Sequence, residues 1–118
     1  MNLQFKKKEE FETQYEKQGI ILIYENKIYI TEKNDEINSA SKNAERKPTE
    51  LSFESLSSEV AKKAKKSITD ISRTGIQLIF CRDKENIYLT ADRNIDVYKF
   101  AQNSSQYFTS LKEAFENK

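Results

Sequence analysis

Four carboxylates, Asp83, Glu85, Asp92 and Asp96, fall at the ends of strand-like stretches, where such groups can hold a divalent cation or divide the work of acid and base. Their spacing fits no metal-loop or acid/base template. The ordinary role of Asp83, Glu85 and Asp92 is a solvated turn, and Asp96 also suits an edge strand, where a charge discourages sheet-to-sheet pairing. Histidine is absent from the 118 residues, which removes the commonest general base and metal ligand together with every Ser-His or Cys-His nucleophile. One cysteine, Cys81, is too few for a thiolate zinc site, and two glycines are too few for a phosphate-cradling loop or a dinucleotide fingerprint. The chain therefore reads as non-enzymatic, with no cofactor or metal expected.

What remains is recognition chemistry, in three places. Lys62, Lys63, Lys65 and Lys66, with Arg73 beyond them, form the one clear local excess of positive charge: five basic against two acidic residues between Glu59 and Arg73. Such a face can meet phosphates through a salt-sensitive, sequence-independent attraction, although it equally suits a solvated helix surface and lacks the interleaved aromatics of single-strand binders. Tyr24, Tyr29, Tyr88 and Tyr98 enrich the strand-like stretches in amphipathic rings, which either face a partner protein or lie under helices with their hydroxyls at the rim. The third place is a long polar loop expected at about 32–54, which carries six acids, Asp35, Glu36 and Glu45 among them, against four bases. That lean suits contact with a basic partner such as a nuclease.

The elements that must position these residues follow from periodicity. Met1, Leu3 and Phe5 alternate with polar residues, as a short strand or extended arm would. Lys6 to Lys17 are good helix formers with Phe11 and Tyr15 on one face, a thin stripe suited to covering a sheet edge, and Gly19 beyond them is placed to stop the helix. A phrase then occurs twice: Gly19 to Tyr24 followed by Asn26 to Thr31, and Gly75 to Phe80 followed by Asn86 to Thr90, each read as a hairpin led in by a glycine. The unbroken run Ile20 to Tyr24 predicts an interior strand. A helix is predicted from Ser55 to Ser72, its stripe being Leu56, Val60, Ala64, Ile68 and Ile71. Ile95 to Phe100 is expected to be a third strand of a meander. The tail then opens on an Asn103/Gln106 capping box and continues as a helix with Tyr107, Phe108, Leu111, Ala114 and Phe115 on one face.

These elements predict a single α+β domain over residues 1–118: a five-stranded antiparallel sheet, hairpin plus three-strand meander, with three helices in the order α-β-β-α-β-β-β-α. That succession resembles roadblock-type and related profilin-like domains, and the resemblance implies a sheet used for dimerisation and scaffolding. Net charge is +1 from 20 basic and 19 acidic residues, so no global field points to nucleic acid or a membrane surface. The lone Cys81 inside a strand and the absence of a long apolar stretch lead us to expect a cytoplasmic, non-membrane protein. The function expected is a protein-binding module of the immunity-protein, antitoxin or inhibitor kind, its candidate contacts being Tyr29, Tyr88, Tyr98, Asp35, Glu36 and Glu45. The alternatives are nucleic-acid binding through Lys62, Lys63, Lys65, Lys66 and Arg73, and a homodimeric scaffold.

Overall fold

Short apolar runs closed by tight turns bring five strands into one sheet in the computed structural model, which describes residues 2–32, 52–93, 95–103 and 105–116. β1 (Asn2–Phe5), β2 (Gly19–Tyr24), β3 (Lys27–Glu32), β4 (Ile76–Asp83) and β5 (Asn86–Ala91) lie in the order β1-β5-β4-β2-β3. All six β2 residues are buried, as an interior strand requires. Glu25 and Asn26 both take positive φ, 50° and 64°, which a two-residue hairpin turn demands. Among the described residues five helices pack on the two faces: α1 (Lys8–Gln14), α2 (Phe53–Ala64), α3 (Ile68–Thr74), α4 (Val97–Asn103) and α5 (Ser105–Glu116).

The alternation of the strands separates two cores. Ile21, Ile23, Leu78, Phe80, Ile87 and Leu89 point to one face, where Val97, Leu111 and Phe115 of α4 and α5 cover them. Ile20, Leu22 and Tyr24 point to the other face, under Leu56, Val60 and Ile71 of α2 and α3, and beside them Ile79 and Cys81 lie under Phe11 of α1. Cys81 is a buried free thiol. Among the described residues no helix is long and apolar enough to cross a membrane.

The α+β class and both hairpins stand as expected, but the sheet is mixed. Its fifth strand is β1, which runs parallel to β5 with Leu3 beside Ile87 and Phe5 beside Leu89. Residues 97–100 are helix, because Asp96 Oδ1 accepts from the N–H groups of Tyr98 and Lys99 and its carbonyl from that of Phe100. The helix turns Val97 and Phe100, three apart, to the core. The antiparallel meander is thus absent from the fold, and with it the element order on which the roadblock-type resemblance rests.

The helix expected from Ser55 to Ser72 is two helices. Lys65 takes φ 56° and ends α2, and Ser67 begins α3 by accepting the Asp70 N–H at 3.2 Å. The break leaves Ile71 fully buried and turns Ile68, expected on the apolar stripe, to solvent. α1 is shorter than 6–17, and α5 starts at Ser105, with Asn103 closing α4 instead of capping the tail helix. Gly19 belongs to β2 and stops no helix. A Cβ there would enter the Phe80 ring and approach the Thr31 carbonyl oxygen to 2.6 Å, so its role is close approach between strands. The two glycine-led runs are also out of phase: Ile20 faces the α2 side and Ile76 the α5 side.

Candidate functional site

β1 and β5 are parallel neighbours whose chains leave on opposite faces of the sheet. After Phe5 the chain turns under the sheet into α1, and after Ala91 it turns over the sheet into α4. Open sheets form their binding crevices beyond the carboxyl ends of such a strand pair, because the diverging connections leave a gap between them. Here that gap is a groove of about 460 Å³. Lys7, Lys8, Glu9 and Glu12 line it from α1, Thr90 and Ala91 from β5, and Arg93, Ile95, Asp96, Val97 and Tyr98 from the segment entering α4.

Charge in the groove is balanced and partly tied down. Lys8 Nζ lies 4.0 Å from Asp92 Oδ1 and 4.0 Å from Glu12 Oε1, and donates to the Asp92 carbonyl at 3.5 Å. Those pairs are solvated, so they add little stability and serve mainly to fix the α1 end of the rim. Arg93 Nη2 donates to the Ser72 carbonyl, tying the loop after β5 to α3. Asp96 is occupied in capping α4. The floor holds a polar group without company: Thr90 is 1% exposed, and its hydroxyl has no hydrogen-bond partner among the described residues.

Apolar surface collects at the same place. Three large apolar side chains are exposed among the described residues, and two of them, Ile95 at 37% and Tyr98 at 46%, line this groove. An aliphatic and an aromatic side chain ringed by alternating charges form a surface suited to a protein partner.

The residues singled out from the sequence are scattered. Tyr98 stands on α4 at the groove. Tyr88 lies under α1, stacked on Tyr15 with ring centroids 4.2 Å apart, and partial burial followed by the neighbouring Tyr15 pushes its hydroxyl above the usual tyrosine value. Tyr29 packs beside Tyr24 and Phe53 at the opposite margin of the sheet. Tyr29 and Tyr88 thus lie on the helix-covered α1–α3 side, and the three tyrosines form no common surface. Asp35, Glu36 and Glu45 lie outside the described residues.

Lys62 and Lys63 sit in the last turn of α2, where they complement its carbonyl end, and Lys65 and Lys66 form the turn after it. The lysines therefore make a corner, not a single helix face. Arg73 pairs with Asp70 at 3.4 Å. Asp83 and Glu85 stand at one end of β5 and Asp92 and Asp96 at the other, and no group of three metal-ligating side chains occurs among the described residues.

Lys7, Lys8, Glu9, Thr90 and Ile95 gave no signal in the sequence, because only the pairing of β1 with β5 brings them together. Burial, with the charges of Asp83 and Glu16 adding to it, pushes the Cys81 thiol above its ordinary value, which makes it a poor nucleophile at neutral pH. No protein-family model, curated protein or solved structure matches the chain.

Proposed function

We propose that the chain is a non-enzymatic protein-binding module whose partner seats on the groove between α1 and α4. The observation that carries this reading is the placement of Ile95 and Tyr98, two exposed large apolar side chains side by side at a crevice otherwise edged by charge. A well-seated aromatic anchor contributes about 2 kcal/mol or more at an interface, roughly a thirtyfold change in affinity. An inhibitor of the immunity-protein or antitoxin kind is the form of this function we favour, and the acidic lean of 32–54 supports a basic partner. The test is capture of a partner by the intact chain, compared with Ile95→Asp and Tyr98→Ala variants of unchanged far-UV circular dichroism. Loss of the partner from both variants supports the reading. No stable partner at micromolar concentration, or a partner indifferent to both changes, refutes it.

One observation favours a second reading: Lys62, Lys63, Lys65 and Lys66 are exposed and, among the described residues, none lies within ion-pair distance of a carboxylate. If that corner binds nucleic acid, replacing Lys62, Lys63 and Lys66 with glutamate abolishes binding at low salt. Absence of binding by the unmodified chain removes the idea.

A further inference from the structure

The strand at the opposite margin of the sheet presents a different surface. β3 bonds to β2 on one side, and among the described residues nothing pairs with the outer edge of its Ile28–Ile30 stretch. The Glu25-Asn26 turn fixes which backbone groups face out. In a two-residue hairpin the closing pair, Tyr24 with Lys27, exchanges hydrogen bonds; Leu22 with Tyr29 and Ile20 with Thr31 do likewise, and the residues between them turn away. The N–H and C=O groups of Ile28 and Ile30 therefore point outward on either side of Tyr29.

Edge strands ordinarily carry protection in the form of a proline, a central charge, a bulge or extreme shortness. β1, at the other margin, is four residues long. β3 runs six, in unbroken register with β2, and its one lysine, Lys27, stands at the turn. Its centre, Ile28-Tyr29-Ile30, reads the same in both directions. Ile28 and Ile30 pack against the core under α5, and Tyr29 against the cluster of Tyr24 and Phe53 on the other face.

We infer that this edge pairs antiparallel with the same edge of a second copy, about a two-fold axis at Tyr29, with Ile28 of each copy bonded to Ile30 of the other. The pairing makes about four backbone hydrogen bonds between copies. Isoleucine meets isoleucine on the α5 face. Tyr29 meets its counterpart on the other, at the non-hydrogen-bonded position where side chains approach closest. Lys27 falls opposite Thr31, so no like charges confront each other in this register. A palindromic edge is matched better by its own copy than by an arbitrary strand, which is why a second copy is the occupant. The groove of the proposed function lies at the far margin and stays open, so the two readings stand or fall separately.

Sedimentation equilibrium of the full chain from about 10 µM to about 1 mM is expected to show a monomer–dimer equilibrium, as suits a small interface. Ile30→Pro removes an outward N–H without touching the bonds to β2, whereas Ile30→Ala loses side-chain packing and keeps the N–H. The symmetric loss of two hydrogen bonds should weaken the Pro variant at least about tenfold relative to the Ala variant, with circular dichroism unchanged in both. Under mild oxidation Tyr29→Cys is expected to give a disulfide-linked dimer, and Ile30→Cys is not, because position 30 faces position 28. A chain monomeric at about 1 mM, equal effects of Pro and Ala, or cross-linking through position 30 in place of 29 overturns the proposal.

Discussion

Gly19→Ala probes the tightest point of the sheet. Gly19 lies opposite Glu32 of β3 on one side and Phe80 of β4 on the other. Its φ is not positive, so alanine fits the backbone conformation, and the smaller unfolded-state entropy of alanine favours folding by roughly 0.5–1 kcal/mol. Space opposes it. The new methyl would enter the Phe80 ring and stand 2.6 Å from the Thr31 carbonyl oxygen, which belongs to the neighbouring strand and yields only if the strands separate. Phe80 is fully buried and is held edge-on by Phe115, with ring centroids 5.0 Å apart at 67°, so its ring has nowhere to swing. Overpacking of this kind costs up to about 3 kcal/mol, leaving a net loss of about 2 kcal/mol. At about 4 °C per kcal/mol for a domain of this size, Tm falls by roughly 8 °C. Urea and thermal denaturation read the change, and adding Phe80→Leu tests its cause. If the ring is the obstacle, the double variant recovers about 1 kcal/mol or more relative to additivity. A Gly19→Ala chain as stable as the parent, or an additive double variant, refutes the packing argument.

The Cys81 thiol and the Tyr24 and Tyr88 hydroxyls are all pushed up, in each case chiefly by burial, from ordinary values of 9.0 for the thiol and 10.0 for the phenols. Each is neutral when protonated, so the folded chain holds these protons more tightly than the unfolded one. Their stabilising contribution is therefore complete below the ordinary thiol value and is lost as pH rises through the folded values. Tm should be level near neutral pH and decline above about pH 9, less steeply in Cys81→Ala; a Tm that rises with alkalinity contradicts the assignment. Ser52 Oγ accepts the Ser55 N–H at 3.1 Å and Ser67 Oγ accepts the Asp70 N–H at 3.2 Å. Replacing either serine with alanine should cost about 1 kcal/mol in urea denaturation, and Ser67→Asp should retain most of the α3 cap.

The sheet's interior was legible because burial dictates composition there: the run Ile20 to Tyr24 and the alternation of Ile76, Leu78 and Phe80 admit few other arrangements. Two boundaries misled for the same reason. A side-chain oxygen overrode an apolar pattern, Asp96 turning a strand-like Ile-Asp-Val-Tyr-Lys-Phe into helix and Ser67 restarting a helix that Lys65 had ended. Both caps are readable afterwards as Asp96 three before Lys99 and Ser67 three before Asp70, but competing periodicity hid them. Leu3 and Phe5 announced a short strand without announcing its neighbour. That pairing joins residues 2–5 to residues 86–89, and no local rule reaches so far. The groove, which depends wholly on it, was correspondingly invisible, and only Tyr98 among its anchors was singled out.

The same pairing sets the order in which the molecule is finished. Both hairpins close across two-residue turns and form early, whereas β1 can dock only after β5 exists, at a large loop-closure cost. During synthesis the first strand therefore waits, unpaired, until more than two thirds of the chain has emerged, and the segment entering α4 follows later still. A partner seated as proposed would thus meet the groove only once residue 98 has emerged: chains ending before α4 would carry the sheet's centre and lack the surface.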